Sequence, residues 1–178
     1  GGVTSTSHVD LTYGKYEDLR GGEKATTGTT NVSLDGIIVE EVVYGGGDQA
    51  PVTTDTKVEI KNQTSILGDV FGGGNAGKVN GKTEVTINHS TVSKNVYGGG
   101  NKADVSDITT VKINNSSVIS ENVFGGGNEG KALSNTSVSV DASTVTKSVY
   151  GGGNKADVNG ITSVTISNQS VISENVFG

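Results

Sequence analysis

Two stretches, Gly72-Gly73-Gly74-Asn75-Ala76-Gly77 and Gly125 to Gly130, match the G-x-G-x-x-G spacing with which dinucleotide-binding loops hold a pyrophosphate. That chemistry needs a helix to follow, with its N-terminus facing the phosphates, and here another strand-type pattern follows. Asp48, Asp104 and Asp157 stand near glycine tracts and could offer oxygens to calcium. Repeats built for that purpose return every nine residues or so, whereas one glycine tract occurs here per 26 or 27 residues. Proton-transfer catalysis would require unlike groups clustered where the repeat breaks. Only the start of the chain gathers such groups: His8, Asp10, Tyr13, Tyr16, Glu17, Asp18 and Arg20. A polar set at the end of a repeat array reads as a cap that shields the first winding. His89, in column with Asn115 and Asn168, reads as an exposed variant of a polar position. The column Thr56, Thr83, Thr109, Thr136, Thr162 is regular enough to suggest ice binding, but it shares a face with core Val and Ile and is expected inward or at an edge. Its outward neighbours, Lys57, Glu84, Thr110, Ser137 and Ser163, then Glu59, Thr86, Lys112, Ser139 and Thr165, form an ordinary solvated face. Asn-x-Ser/Thr triplets such as Asn62-Gln63-Thr64, Asn88-His89-Ser90 and Asn168-Gln169-Ser170 are expected by chance in so Asn/Ser/Thr-rich a chain. No catalytic residue, cofactor site or metal-ligand set is read from the sequence.

Composition narrows the classes further. In 178 residues there are 28 glycines, one proline, no Cys, Met or Trp, and only 31% hydrophobic residues, so a large conventional core is not expected. A net charge of -6 with a single arginine, Arg20, argues against a nucleic-acid partner. The lack of cysteine excludes disulfides and thiol-ligated zinc. No apolar run reaches the length of a membrane helix and no signal-peptide pattern precedes Gly1, so membrane insertion is not expected.

The elements that must position these residues are set by an internal repeat. Gly-Gly-Gly, preceded by Val and an aromatic, starts at Gly45, Gly72, Gly98, Gly125 and Gly151, and Phe177-Gly178 opens a sixth copy; the steps alternate between 27 and 26 residues. The unit is therefore a 53-residue pair. The aromatics Tyr44, Phe71, Tyr97, Phe124 and Tyr150 follow the same beat. Thirteen residues after the first glycine stand Val58, Val85, Val111, Val138 and Val164, centred in a Thr-x-Val-x-Ile pattern of period two, which predicts a strand. Thr30-Asn31-Val32-Ser33-Leu34 resembles an earlier, degraded copy. A third apolar position follows at Ile66, Val92, Ile119, Val145 and Ile172. The extra residue of the longer copies lies between these segments, where Val118-Ile119 and Val171-Ile172 replace a single Val, and reads as a corner bulge. No helix is predicted anywhere.

A unit of this size cannot bury its own apolar face, but it can on an identical neighbour. The predicted fold is all-β: a parallel β-solenoid of 26/27-residue coils with three short strands per coil, right-handed by the usual chirality of parallel connections. Residues 1–29 are expected to form an N-terminal cap or degenerate coil, and residues 30–178 the solenoid, with coils starting near Tyr44, Phe71, Tyr97, Phe124 and Tyr150. At about 4.8 Å per coil the rod would be about 25–35 Å long. Stacking sets like positions in columns. Lys78, Asp104, Lys131 and Asp157 alternate in sign, as do Lys102, Glu129 and Lys155, which disfavours a slip by one coil. Asn75, Asn101, Asn128 and Asn154, headed by Asp48, are placed to form an amide ladder. The sequence leaves open which of Val and the aromatic faces inward; valine inside, with stacked aromatics outside or at a corner, is the expected arrangement.

On period and glycine-rich composition, residues 30–178 resemble the β-solenoid repeats of bacterial surface and secreted adhesins. The resemblance implies a non-enzymatic, extracellular or cell-surface rod or adhesive stalk. Its partners would be further repeats or neighbouring subunits, met through the final coil, which carries no polar cap, and a host surface or glycan. Gly98-Gly99-Gly100-Asn101-Lys102-Ala103 and Gly151-Gly152-Gly153-Asn154-Lys155-Ala156 are similar to the Gly-x-Gly-Asn-x-Ala core of curli-type fibre subunits, which implies self-assembly as a second reading. A carbohydrate-binding or polysaccharide-cleaving β-helix is the third.

Overall fold

The computed structural model describes residues 7–11, 14–16, 19–22 and 28–178. These form a parallel β-solenoid with no helix among the described residues: three sheets, each of seven strands, each strand paired to its counterpart one coil away. The first sheet holds the long strands, Ser7–Leu11, Thr30–Asp35, Thr56–Lys61, Thr83–Asn88, Thr109–Asn114, Thr136–Asp141 and Thr162–Ser167. Two-residue strands such as Thr91–Val92 and Val118–Ile119 make the second sheet, and Val-aromatic pairs such as Val70–Phe71 and Val96–Tyr97 the third. Register is that of the repeat: Val85 pairs with Val58 on one side and Val111 on the other. Thr30, Val32 and Leu34 pair with Thr56, Val58 and Ile60. Ser7 pairs with Thr30, a step of 23 residues, so part of the segment before residue 30 also winds in the stack. Tyr13, Glu17 and Asp18 lie outside the described residues.

The interior is narrow and built from columns. Val58, Ile60, Ile66 and Val70 of one coil lie with Val85, Ile87, Val92 and Val96 of the next in a single buried cluster. Alternation in the long strands puts Thr, Val and Ile inward together, as in the buried-intermediate alternation of Thr83–Asn88. The Thr column is buried, at 0–2% exposure from Thr30 to Thr136. Each hydroxyl donates to the carbonyl of the first residue of the Gly-Gly-Gly tract that follows, at 2.5–2.6 Å, tying the first sheet to the third across the corner. A fourth inward column, not anticipated, runs Val52, Val79, Val105, Ala132 and Val158 through single parallel bridges.

The extra residue of the longer coils is not a bulge in a strand. Val118 pairs with Thr91 and Thr144, so Val118-Ile119 is ordinary strand, and the added residue sits in the turn before it. Turns after Lys61, Asn114 and Ser167 have three residues before the next strand, with two in the left-handed region: Asn62 and Gln63 (φ 55° and 65°), Asn115 and Ser116 (54° and 61°), Asn168 and Gln169 (50° and 59°). Turns after Asp35, Asn88 and Asp141 have two residues, with one such residue: Gly36, His89 or Ala142. A left-handed residue turns the chain without disturbing the ladder, so a second one absorbs the extra length where neither strand is paired.

The first glycine of each tract is required by close approach. A Cβ on Gly98 would lie 2.3 Å from the carbonyl oxygen of Gly125 in the next coil and 3.2 Å from Thr109 Cβ. On Gly152 it would meet nothing within 4 Å. Gly98→Ala is therefore expected to lower stability by about 2–4 kcal/mol. Gly152→Ala should stay within about 0.5 kcal/mol of the parent. Urea denaturation midpoints check both.

Candidate functional site

The residues with chemical potential lie in ladders along the axis. Asn75 Nδ2 donates to Asp48 Oδ1 at 2.7 Å, and Asn101, Asn128 and Asn154 each donate to the amide oxygen of the preceding member at 2.8 Å. The expected ladder is present and polarised, every amide donating toward the N-terminus. An aspartate suits its head because a carboxylate only accepts. A second amide ladder, which the sequence reading missed, runs from Asp69 through Asn95 to Asn122 at 3.1 and 3.2 Å. The signal for it was the polar residue just before each Val-aromatic pair.

Tyr44, Phe71, Tyr97, Phe124, Tyr150 and Phe177 stack with centroids 4.6–5.1 Å apart and ring planes within 11° of parallel. Their valines face the main core, as expected, while the aromatics make a separate cluster. From Tyr44 to Phe124 the rings are only 3–7% accessible, because each covers the faces of its neighbours, whereas Phe177 at the end of the column is half exposed. Arg20, in register with Tyr44, places its guanidinium 5.9 Å from that ring's centroid and so ends the ladder with a cation-π contact. Of the unlike groups at the start of the chain, the structure thus gives Arg20 a stacking role.

Charge columns are only partly ion-paired. Lys155 Nζ lies 3.0 Å from Glu129 Oε1. No ion pair within the column Lys78, Asp104, Lys131, Asp157 occurs among the described residues; Asp104 instead accepts the backbone N–H of Lys131 at 2.9 Å. A further alternating column, Lys94, Glu121, Lys147 and Glu174, was not anticipated; Lys147 is hydrogen-bonded to Glu121. That bond, with attraction to Glu121 and Glu174, raises the Lys147 pKa against a smaller desolvation effect. Such exposed pairs are screened by water and contribute little to stability.

The glycine motifs are occupied by coil-to-coil bonds. Gly72 and Gly73 donate their amides to Tyr97 and Gly99, and Asn75 and Ala76 donate theirs to Gly47 and Asp48. Of the carboxylates weighed for calcium, Asp48 and Asp104 are likewise engaged between coils. The Asn-x-Ser/Thr triplets have a structural cause rather than a statistical one. The Asn ends the strand or adopts the left-handed turn, and the hydroxyl turns inward, buried at Thr64 and Ser90 and half-buried at Ser170: Thr64 donates to Lys61, Ser90 to Asn88 and Ser170 to Ser167 carbonyls. His89 is exposed, as expected, but it is also the left-handed turn residue of its coil. No family model matches the chain, and comparison with curated proteins and with solved structures also finds no match.

Tyr97 carries a pH dependence. Burial, with the carboxylates of Asp69 and Glu121 adding to it, pushes its phenol from 10.0 up to about 12. Between those values the folded chain keeps a proton that the unfolded chain releases, so stability is intact below about pH 10 and falls as pH approaches 12. Tyr97→Phe should remove that dependence while leaving neutral-pH stability within about 0.5 kcal/mol. Denaturation at stepped pH, with tyrosinate absorbance followed in parallel, measures both.

Phase across the columns makes a separate prediction. Duplicating residues 98–150 preserves alternation, whereas duplicating 98–124 alone sets Lys102, Asp104 and Glu121 on copies of themselves and a long turn on a long turn. The pair duplication should match or exceed the parent's unfolding free energy in urea, and the single one should fall below it by about 1–2 kcal/mol despite its added coil.

Proposed function

We propose that this chain is a non-enzymatic structural module, a stiff rod or adhesive stalk segment on the outside of a bacterial cell. The observation that carries the reading is that side chains of one kind repeat in register from coil to coil as amide, aromatic and hydroxyl ladders. Many polar side chains are thereby bonded to their own counterparts along the axis, as in the Asn75 to Asn154 ladder. Cohesion of this kind makes a stalk that extends by adding coils without changing its cross-section. The likeness to adhesin repeats supports the extracellular placement. Partners on this reading are further coils of the same kind and a host surface or glycan, with neither nucleic acid nor membrane insertion required.

Sedimentation and small-angle X-ray scattering test it. The expected result is a monomeric, elongated particle over a wide concentration range, lengthened by about 10 Å when residues 98–150 are duplicated. Filaments with a cross-β reflection at the coil spacing would overturn it in favour of the self-assembling fibre subunit.

A further inference from the structure

The alternation of turn lengths leaves a recess on one corner of the rod. His89, in a two-residue turn, lies between the three-residue turns at Asn62 and Asn115, and the shorter turn leaves a shallow, open notch of about 280 Å³ lined by Gln63, His89, Ser90, Thr91 and Ser116. The hydroxyls of Ser90 and Thr91 are already bonded, to the Asn88 carbonyl and Ser65. Gln63, His89 and Ser116 are exposed, and their side chains make no hydrogen bond among the described residues. Nearly every other polar column at this corner is internally satisfied: Asn62 donates to Asp35, Asn115 to Asn88 and Asn168 to Asp141. The recess also breaks the repeat. Equivalent two-residue turns carry Gly36 and Ala142, so only this one places an imidazole between a carboxamide and a hydroxyl.

We infer that this recess is a binding site for one neutral sugar ring. No charged side chain lines it, and a net charge of -6 on the chain disfavours anions. The unengaged groups are a carboxamide that both donates and accepts, a hydroxyl that does the same, and an imidazole, a set that matches vicinal hydroxyls. The notch is of about the size of one ring, with the rest of any longer chain lying in solvent. No aromatic ring lines the notch. Affinity must come from replacing bound water, so a dissociation constant of about 1–10 mM is expected.

The test is a proton NMR titration of the full chain with methyl glycosides of glucose, galactose, mannose and N-acetylglucosamine, and with glucuronate. The chain has two histidines, His8 and His89, so the His89 ring protons are readily assigned with a His8→Gln variant. At least one neutral glycoside should shift the His89 resonances saturably, and Gln63→Ala should weaken that binding about tenfold while His8→Gln leaves it unchanged. Ala142→His, which rebuilds the trio between Ser116 and Gln169, should add a second saturable imidazole shift. The proposal fails if no neutral glycoside shifts His89, if only glucuronate does, or if Gln63→Ala leaves the binding unchanged.

Discussion

Parallel hydrogen bonding between successive coils is the constraint on which everything else rests. It places equivalent residues about 4.8 Å apart, and each side chain must then be compatible with a near-copy of itself above and below. Valine and isoleucine meet the condition by packing, and asparagine by donating to the next amide. The aromatic rings meet it by lying parallel at 4.6–5.1 Å, a spacing imposed by the backbone rather than chosen by the rings. Glycine is needed where the third sheet approaches the next coil too closely for any Cβ.

Like charges cannot meet the condition, and this is where the 53-residue period acquires a cause. Basic and acidic residues alternate in several columns, so neighbouring coils are complementary rather than identical. The turn between the first and second sheets alternates with them: an Asn in the longer turn donates to the strand end of the coil before it, as Asn62 does to Asp35 and Asn168 to Asp141. Coils are thus coupled in pairs by charge, by turn length and by the Tyr/Phe alternation, which holds phenol hydroxyls two coils apart. The ladders also have direction. Their amide donors point toward the N-terminus, with carboxylates at the heads of those that start at Asp48 and Asp69.

For function, the same constraint separates two kinds of residue. Those whose polar groups are satisfied along the axis serve cohesion, which accounts for the glycine motifs, for Asp48 and Asp104, and for the Asn-x-Ser/Thr triplets. Residues that escape the ladders lie on the solvated outer faces of the strands and at the turns, His89 among them.

Much of this was legible in the sequence. Spacing alone determined the coil length, the parallel stacking, the Thr-Val-Ile strand and its inward face, and the Asn75 to Asn154 ladder, because a repeat states which residues lie over which. It did not determine where a side chain points in a two-residue strand such as Val96–Tyr97, so the burial of the aromatic ladder had to be seen. It placed the extra residue between the second and third segments but not in the turn itself, which rests on the φ of Ser116 and Gln169 rather than on the valine that drew attention to it. The Val52 column, the Asp69 ladder and the recess at His89 likewise came only from the tertiary structure. Periodicity describes translation along the axis, whereas these features depend on how the separate sides of one coil fold against each other, and that is decided by sterics and hydrogen bonds between residues with no repeating relation in the chain.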